Sequence, residues 1–527
     1  MLQIKNTNFC LSRWRGVCLT NLTILDTQFH GLGSSLWTNY DLPTQSINLI
    51  ITSTGNPLMS QSTQYPPGPA YKMPGKLVRE FIGDPIKMLT KVAQQYGDIS
   101  YFKLGHEHVY LINNPDLIEK ILIYDHRNFK KGKRLQIAKG LLGEGLVTSE
   151  GEFHNRQRRL IQPIFHPKQI RSYGNIMTDY AERMTDSWGD GEVLDINQEM
   201  MELTLGIICK SVLNYDITSE AQQVGKALTT CRNYSKRLQN PIGQVLDKVP
   251  ILPKVRGARK AMKELNTLVY ELITDRRSKE IEYGDLLTRL LRAQDTEIDH
   301  NSNSANTENF AGRMSDKQVR DEVMTIFIAG HETTANALTW TFYLLSQNQD
   351  VERQLHEELD SILTNSNNDG TRTRRIVSTD DIPKLQYTEK VFRESMRLYP
   401  PVWTIGRYVE NDYSVGEYHI PSGSSILMSQ FVMHHDPRYF EEPNRFNPDR
   451  WTEEFKTHLS RFSYFPFGGG IRGCIGESFA WMEGILVIAT LARKWEMRKV
   501  PTQRVKLDPA ITLRPKYGMK MKLKFRN

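Results

Sequence analysis

One stretch near the C-terminus, FPFGGGIRGCIG at 465–476, carries residue types at a spacing that can do chemistry. Gly468, Gly470 and Gly473 follow the GxGxxG spacing of a loop that cradles the pyrophosphate of a dinucleotide. Cys474 follows them, where such a loop runs into a helix. A cysteine thiolate ligates haem iron when backbone N–H groups and a helix N-terminus stabilise its charge. The stretch therefore indicates either a nucleotide site or a metal-cofactor site.

The nucleotide interpretation needs a strand before the loop, a helix after it and a second parallel strand ending near an acidic residue. FSYFPF at 462–467 can serve as the strand, 475–494 as the helix and Glu496 as the acid. However, the chain ends soon afterwards, and the rest of it shows no alternation of strands and helices. A lone GxGxxG is also weak evidence, so the pattern disfavours a dinucleotide site.

A second chemical pattern is AGHETT at 329–334, inside a long apolar helix predicted over 318–346. An adjacent acid and hydroxyl are unusual there, since burying a polar group without a partner costs about 1–3 kcal/mol. The purely structural alternative is that Thr334 bonds to a helix carbonyl while Glu332 pairs with a surface Lys or Arg. A third pattern, Glu394-x-x-Arg397, places opposite charges on one helical face, where they can form an ion pair.

Taken together, these motifs resemble one known family. FGGGIRGCIG at 467–476 is similar to the haem-thiolate signature of the cytochrome P-450 monooxygenases. AGHETT, EKVFRESMRLYPP at 389–401 and RFNPDRW at 445–451 resemble further motifs of that family, in the same order. The resemblance covers roughly residues 60–525.

The resemblance implies roles for the residues around the cysteine and in the apolar helix. Cys474 would be the axial ligand of haem b iron, with Phe467 beside the cofactor and Arg472 facing a propionate. In the apolar helix, Gly330 would open a groove for dioxygen. Thr333 would hold activated oxygen and water, and Glu332 would relay protons.

Three further arginines and a histidine follow from the same resemblance. HNRQRRLIQPIF at 154–165 resembles the helix that usually carries Trp-x-x-x-Arg, which makes Arg158 a propionate contact. His154 stands where Trp is commoner in the family, and a His can also donate to a propionate. Arg407 resembles another propionate-binding arginine. Arg450 is implied to join Glu394 and Arg397 in a buried structural network behind the haem.

The family's layout also implies which residues face the substrate: Leu141, Leu142, Leu146, Val147, Ala329, Thr333 and 402–405. Most of these are apolar, which suits a lipophilic substrate held mainly by burial. The alternative is that they are ordinary core residues.

The elements that must position these residues are mostly helical. Periodic apolar patterns predict helices at 176–188, 196–213, 258–284, 318–346 and 349–363, and strand-like pieces at 99–113 and 407–429. The predicted fold class is mainly α with a minor β part (α+β). The resemblance specifies the cytochrome P-450 fold, with the haem between a long central helix and the loop and helix that carry the cysteine.

The domain prediction is a single domain over 59–527, with β-rich parts at about 95–115 and 405–430. Residues 1–58 are polar and weakly patterned, so we expect a disordered extension or sequence upstream of a true start at Met59. Polar loops are predicted at 299–309 and 364–375.

Composition limits the function classes. The 527 residues are 39% hydrophobic and 24% charged, as in an ordinary globular protein. The net charge of +8 suits an acidic partner, a membrane surface or simply a solvated basic surface. The sequence contains no Lys/Arg block with interleaved aromatic residues, so it does not indicate nucleic-acid binding. Five cysteines without CxxC spacing argue against a disulfide framework and for a reducing compartment.

No apolar run reaches the ~18–20 residues of a membrane span, so we expect a cytoplasmic protein, with peripheral membrane association still compatible. The sequence thus predicts a haem-thiolate monooxygenase that inserts one atom of O2 into a lipophilic substrate. Since no flavin or nicotinamide fingerprint appears elsewhere, electrons would come from a separate ferredoxin, flavodoxin or other reductase. A haem-thiolate peroxygenase or isomerase, and a non-enzymatic haem-binding sensor, stay open as alternatives.

Overall fold

The structure is a computed structural model that describes residues 65–70, 75–217, 220–238, 243, 247, 252–279, 285–292, 314–366 and 372–526. The extension at 1–58 and the polar loop at 299–309 lie outside these residues, so what the sequence predicts for them stays a prediction. The same holds for the single-domain boundary at residue 59.

Helices make up most of the described chain. They are α1 (Lys76–Gly83), α2 (Pro85–Tyr96), α3 (Pro115–Glu119), α4 (Lys133–Gln136), α5 (Lys139–Leu142), α6 (Gly151–Ile161), α7 (Pro167–Ser172), α8 (Gly174–Asp186), α9 (Ile196–Leu213), α10 (Ala221–Leu238), α11 (Pro253–Ser278), α12 (Leu286–Arg292), α13 (Asp316–Gln347), α14 (Gln349–Leu363), α15 (Gln386–Leu398), α16 (Gln430–His434), α17 (Glu453–His458) and α18 (Glu477–Lys494).

The long helix α13 is the element around which the others pack. It begins with a capping box, in which the Ser315 hydroxyl accepts from the Gln318 N–H at 3.3 Å and the Ser315 N–H donates to the Gln318 side chain at 2.8 Å. Its side chains are buried on nearly every face, as expected for a helix that is apolar all round. It packs against α9, α11, α15 and α18. The predicted helix at 318–346 is confirmed.

Most other predicted helices are confirmed within two residues, namely α8, α9 and α14. The prediction at 258–284 is displaced, because α11 starts at Pro253 and ends at Ser278. Proline is well tolerated in the first turn of a helix, where its missing N–H has no intrahelical partner to lose.

The strands are β1 (Ile99–Leu104), β2 (Glu107–Ile112), β3 (Phe129–Lys131), β4 (Val193–Asp195), β5 (Thr364–Ser366), β6 (Arg372–Arg374), β7 (Ile405–Val409), β8 (Tyr413–Val415), β9 (Tyr418–Ile420), β10 (Ser425–Met428), β11 (Trp495–Lys499), β12 (Leu507–Pro509), β13 (Leu513–Pro515) and β14 (Lys520–Phe525). The largest sheet has the order β1-β2-β10-β7-β3, with β10 parallel to β2 and antiparallel to β7. The two strand clusters predicted from the sequence therefore join in one sheet.

The structure corrects three expectations about β structure. The predicted loop at 364–375 contains a short antiparallel hairpin of β5 and β6. Ion pairs anchor its second half, because Arg374 lies 3.2 Å from Asp360 and Arg375 lies 2.6 Å from Asp381. The C-terminal strands, which pair as β11-β14-β4 and β12-β13, were not predicted.

The third correction concerns FSYFPF, the strand that a dinucleotide site would need. Residues Arg461–Ser463 form a 3-10 turn, and the following residues up to 467 contain no strand. Moreover, β11 after α18 pairs antiparallel to β14, whereas a dinucleotide fold requires a parallel neighbour.

Among the described residues, no helix is long and apolar enough to cross a membrane.

Candidate functional site

The glycine-rich loop before α18 wraps closely around Cys474. The Cys474 N–H donates to the Phe467 carbonyl at 3.0 Å, which closes the loop. Gly468 and Gly470 have φ of 71° and 68°, a left-handed conformation that favours glycine. A Cβ at Gly469 would lie 2.6 Å from the Phe462 ring. Loop closure and close packing therefore explain these glycines without a phosphate ligand.

Cys474 lies in the wall of a cavity of about 1850 Å³. Its exposed surface faces this cavity, and protein encloses the residue elsewhere. Burial raises the pKa of the Cys474 thiol to about 11, although the Gly476 N–H and the Arg158 charge act in the opposite direction. A thiolate at this position thus needs a positive partner on the cavity side.

Among the cationic side chains that line the same cavity, four form one electrostatically coupled group around Arg472: Lys131, Arg158, Arg407 and Arg472 itself. Arg158 donates to the Gly473 carbonyl at 2.9 Å, directly before the cysteine. Arg407, on β7, donates to the Gly406 carbonyl at 3.0 Å. Strand β3 carries Lys131, which donates through its side chain to the Val147 carbonyl. We call these four residues the cation cluster.

Glu150 is the one carboxylate that the described part of the chain pairs with the cation cluster. It forms an ion pair with Arg472 and accepts from the Lys131 N–H at 2.7 Å. Burial and the neighbouring Arg472 and Arg407 lower the pKa of Lys131 to about 7. Burial, followed by Arg472, likewise lowers the pKa of Arg407 to about 10. The cluster is therefore short of negative charge.

His154, on α6, lies beside this cluster and also lines the cavity. Its side chain is 1% exposed, and its closest polar contact is the Asn155 side chain at 3.5 Å. Burial, with the charges of Arg472 and Lys131, lowers the pKa of His154 to about 3. The imidazole is therefore neutral and has a hydrogen-bonding capacity that the protein uses weakly.

The AGHETT turn of α13 faces the same cavity, which Gly330, Glu332 and Thr333 line. The Thr333 hydroxyl donates to the Ala329 carbonyl at 2.7 Å, and the Thr334 hydroxyl donates to the Gly330 carbonyl at 3.3 Å. Back-bonding of Thr334, the structural alternative, is thus observed. A Cβ at Gly330 would lie 2.9 Å from Ile208 of α9, so helix packing also favours glycine there.

Glu332 is held by two groups that the sequence analysis did not identify. Its Oε1 lies 3.1 Å from Arg232 of α10 and accepts from the Thr512 hydroxyl at 2.7 Å. The side chains of Glu332 and Arg232 are 8% and 10% exposed, so this is a buried pair and not the surface pair of the structural alternative. Within the described residues, no hydrogen bond joins Glu332 to Thr333.

The predicted ionic network of Glu394, Arg397 and Arg450 is present, and none of the three lines the cavity. Arg397 binds both carboxylate oxygens of Glu394 at 2.8 and 2.9 Å, and Arg450 reaches the same carboxylate at 3.0 Å. Trp451 completes the set by donating to Glu394 at 2.9 Å.

All the residues predicted to face the substrate line the cavity, and most of them are apolar: Leu141, Leu142, Leu146, Val147, Ala329, Thr333, Val402, Trp403, Thr404 and Ile405. Sequence reasoning missed four polar residues of the site: Lys131, Glu150, Arg232 and Thr512. No local motif marks them, because each reaches the site through long-range packing. The only signal for Lys131 is a basic pair at the end of a short strand.

Comparison with known proteins decides the family. The cytochrome P-450 family model matches residues 66–523. The chain belongs to the cytochrome P-450 family. It is 34% identical over 432 residues to cyclooctatin synthase of Streptomyces melanosporofaciens, covering 81% of this chain and 89% of that protein. It is 31% identical to pentalenene oxygenase of Streptomyces avermitilis, covering 80% and 87%.

Solved structures agree about the fold of this cytochrome P-450. The haem domain of cytochrome P450DA superimposes with a TM-score of 0.76 at 23% identity, covering 88% of this chain and 98% of that one. The predicted fold class is therefore confirmed. As a member of this family with monooxygenase relatives, the chain is a haem-thiolate monooxygenase that binds haem b and uses O2, an organic substrate and a redox partner. The dinucleotide interpretation is wrong.

Proposed function

We propose that Cys474 supplies the thiolate that would hold the haem iron and that the cation cluster would bind the two propionates. The observation that carries this proposal is that Cys474 and the cation cluster line the same cavity, while Glu150 is the one carboxylate of the described residues that pairs with the cluster. The other described cysteines, Cys209 and Cys231, are buried. A dianionic group with a soft metal centre fits both requirements, because it balances the cations and provides a positive partner for the sulfur.

Once held by these residues, the haem would supply O2 activation, in which one oxygen atom would enter the substrate and the other would leave as water with two electrons from the redox partner and two protons. The protein's part begins with enclosure, since the apolar wall excludes water and holds a lipophilic substrate by burial. His154, being neutral, can donate a hydrogen bond to a propionate without adding charge. Phe467 and Arg472 flank the cysteine and shape the loop on that side.

Thr333 and Glu332 would deliver protons. The Thr333 hydroxyl lies in the cavity wall and can exchange its bond to the Ala329 carbonyl for a bond to water. Glu332 lines the cavity, but its Oε1 is bound to Arg232 and Thr512, so the carboxylate becomes available for proton transfer when that buried pair opens. The pair therefore keeps the acid away from Thr333 until α10 or the Glu332 side chain moves.

The substrate we propose is a lipophilic hydrocarbon or alcohol. Support comes from the apolar side chains at 141–147 and 402–405, which form much of the cavity wall. Relatives at 31–34% identity carry the names pentalenene oxygenase and cyclooctat-9-en-7-ol 5-monooxygenase. Hydrocarbons and alcohols of the kind these names specify are therefore the first compounds to screen for spectral shifts.

For the electron donor we propose a ferredoxin or flavodoxin. Such acidic partners suit the net charge of +8 and the exposed basic residues near the cysteine loop, including Arg159 on α6 and Lys168 on α7. Reduction by a ferredoxin should slow as ionic strength rises, because salt screens this attraction. The cytoplasmic location expected from the cysteine content stays a prediction.

The experiment that tests the haem assignment is a CO-difference spectrum of the reduced protein. The wild type should show the Soret maximum of a thiolate–CO complex. Cys474→Ala should lose it, while the matched variant Cys231→Ala should keep it, because Cys231 is buried away from the cavity. A wild type that binds no haem, or a Cys474→Ala protein that keeps the thiolate spectrum, would contradict the proposal.

A further inference from the structure

The segment 141–150, between α5 and α6, forms one side of the cavity. Leu146 and Val147 of this segment line the cavity together with Leu141 and Leu142. Apart from the end of α5 it has no regular secondary structure, so its position depends on the contacts that hold its backbone.

Three consecutive residues of α13 hold the first half of this segment by its backbone. Arg320 donates to the Leu141 carbonyl at 3.1 Å. Asp321 accepts from the Glu144 N–H at 2.9 Å, and Glu322 accepts from the Leu146 N–H at 3.0 Å. Each bond ends on a main-chain atom of the segment, so the helix fixes the path of its backbone directly.

Two glycines let the segment lie directly on α13. A Cβ at Gly143 would collide with the Asp321 carboxylate, and Gly143 has φ of 63°. A Cβ at Gly145 would collide with the Thr325 hydroxyl. The contact between segment and helix is therefore close at two points, on either side of Glu144.

The second half of the segment is held from the opposite side, by the cation cluster. Arg472 donates to the Ser149 carbonyl at 2.7 Å, and the Lys131 side chain donates to the Val147 carbonyl. Leu146 and Val147 thus lie between one set of bonds from α13 and another from the proposed propionate site.

Glu322 is the unusual member of this arrangement. It is 1% exposed, and its second carboxylate oxygen has no hydrogen-bond partner. Burial raises its pKa to about 8, opposed mainly by the Leu146 N–H. A buried carboxyl with one partner is unfavourable for stability. What it provides is a defined position for Leu146.

Glu322 also stands in a fixed relation to Thr333. The two residues are eleven positions apart on α13, which is close to three helical turns and about 16 Å along the axis. They therefore lie on the same face of one rigid helix, and both line the cavity. A change in the bond to Leu146 alters the distance between the apolar wall and the Thr333 turn.

We propose that Glu322 is a specificity-determining positioning residue, which sets the shape of substrate that the cavity accepts by fixing Leu146 and Val147 through the Leu146 N–H. This inference rests on the proposed function, because specificity presumes that the cavity holds the substrate. Glu322 itself does not touch the reacting atoms.

The test compares Glu322→Gln, which keeps an oxygen acceptor, with Glu322→Leu, which has similar size and none. In hydrogen–deuterium exchange of the full-length protein, the amides of 144–149 should exchange about tenfold faster in Glu322→Leu, as expected for one lost buried hydrogen bond. Glu322→Gln should stay near the wild type. Glu322→Asp, which withdraws the oxygen but keeps a carboxyl group, should resemble Glu322→Leu and replaces it if that variant does not fold.

The second readout is spectral titration with imidazole and with 4-phenylimidazole. The Kd of imidazole reports how accessible the iron is. The Kd of 4-phenylimidazole depends in addition on how well the phenyl ring fits against the apolar wall. The ratio of the two Kd values should change about tenfold in Glu322→Leu, with imidazole alone nearly unchanged, and should be preserved in Glu322→Gln.

An unchanged ratio in Glu322→Leu would overturn the proposal even if amide exchange rises, and unchanged exchange would overturn it outright. If the wild type gives no imidazole spectrum, the proposed function fails and the specificity claim with it. Amide exchange can be measured without haem. It therefore shows whether Glu322 holds the Leu146 N–H even if the protein turns out not to bind haem.

Discussion

Two groups of buried charge in this protein follow opposite rules. In the network of Glu394, Arg397 and Arg450, the protein itself provides partners for every charge. Arg397 and Glu394 are 0% exposed, and Arg397 reaches the carbonyls of His434 and Pro443 at 2.7 Å in addition to Glu394. The cation cluster in the cavity wall has four cations and one paired carboxylate.

The difference separates structure from function. Buried ions that the chain pairs fully fix the relative positions of the elements that carry them. Removing one partner leaves a buried charge without compensation. Buried ions that the chain leaves unbalanced are costly until another group supplies the missing charge. The lowered pKa of Lys131, to about 7, is the sign of this cost. The network therefore holds the fold, and the cluster is prepared for a dianionic ligand.

The largest effect is expected in the network. Arg397→Met should lower the free energy of unfolding by about 3–5 kcal/mol, because Glu394 and three carbonyl oxygens lose a buried partner. Denaturant unfolding measures this loss. The matched control is Arg445→Met, since Arg445 and its partner Glu442 are 63% and 60% exposed, and such pairs contribute at most about 1 kcal/mol. Equal losses in the two variants would break the comparison.

An intermediate effect is expected for Glu483 of α18, a buried carboxyl that belongs to neither group. It is 1% exposed and neither oxygen has a hydrogen bond of good geometry, although Thr334 lies close enough to oppose the shift. Burial raises its pKa to about 8. Its contribution to stability is thus fully present below pH about 4.5, the ordinary value for a glutamate, and is lost as pH rises through 8.

Glu483→Gln replaces this titratable carboxyl with a neutral amide, so the stability difference between the variant and the wild type isolates the cost of ionising Glu483. The variant and the wild type should differ little from pH 4.5 downwards. At pH 9 the variant should be the more stable by about 1–3 kcal/mol in denaturant unfolding. A difference that does not depend on pH would show that the carboxyl is ionised and satisfied in the fold.

The smallest effect is expected in the cation cluster. Lys131→Met should weaken haem binding about tenfold, the loss of one charge-assisted hydrogen bond. Without haem, the variant should be more stable than the wild type, most of all below pH about 7, where Lys131 is charged in both the folded and the unfolded state. Because its folded pKa lies below the ordinary 10.5, this advantage should disappear as pH rises from 7 towards 10.5.

Haem titration checks the expected loss of affinity. Denaturant unfolding of the haem-free protein at pH 7 and pH 10 checks the expected gain in stability and its disappearance at high pH. A variant that is destabilised at pH 7 would mean that Lys131 serves the fold, as Arg397 does, and would remove the distinction between the two groups.

Much of the fold was predictable because its signals are local. The apolar periodicity of α9, α13 and α14 gave their bounds within two residues, since a helix buries a face at a fixed spacing. Strand β14 also carried a local signal that was missed, for Met521 and Leu523 are buried and alternate with exposed lysines. The hairpin at 364–374 has no such alternation, and it is held by an ion pair of Arg374 with Asp360 and by hydrogen bonds of Arg374 with the distant Arg493 and Arg526.

The candidate site was predictable only where a motif marks it. Cys474, Thr333 and Arg158 belong to recognisable stretches, whereas Lys131 and Glu150 do not. The contacts of Glu332 show why, because Arg232 is 100 positions and Thr512 180 positions away along the chain. Partners at such separations are set by the packing of α10 and the β12–β13 turn against α13, which no local pattern reports.

The measurement that tests the account most directly compares the affinity of the protein for haem and for haem whose two propionates are methyl esters. If the cation cluster is prepared for a dianion, the wild type should bind haem about a hundredfold more tightly than the diester, and Lys131→Met should reduce this preference about tenfold. Equal affinity of the wild type for both compounds, or a preference unchanged in Lys131→Met, would contradict the claim that the cavity's unbalanced charge is there for the cofactor.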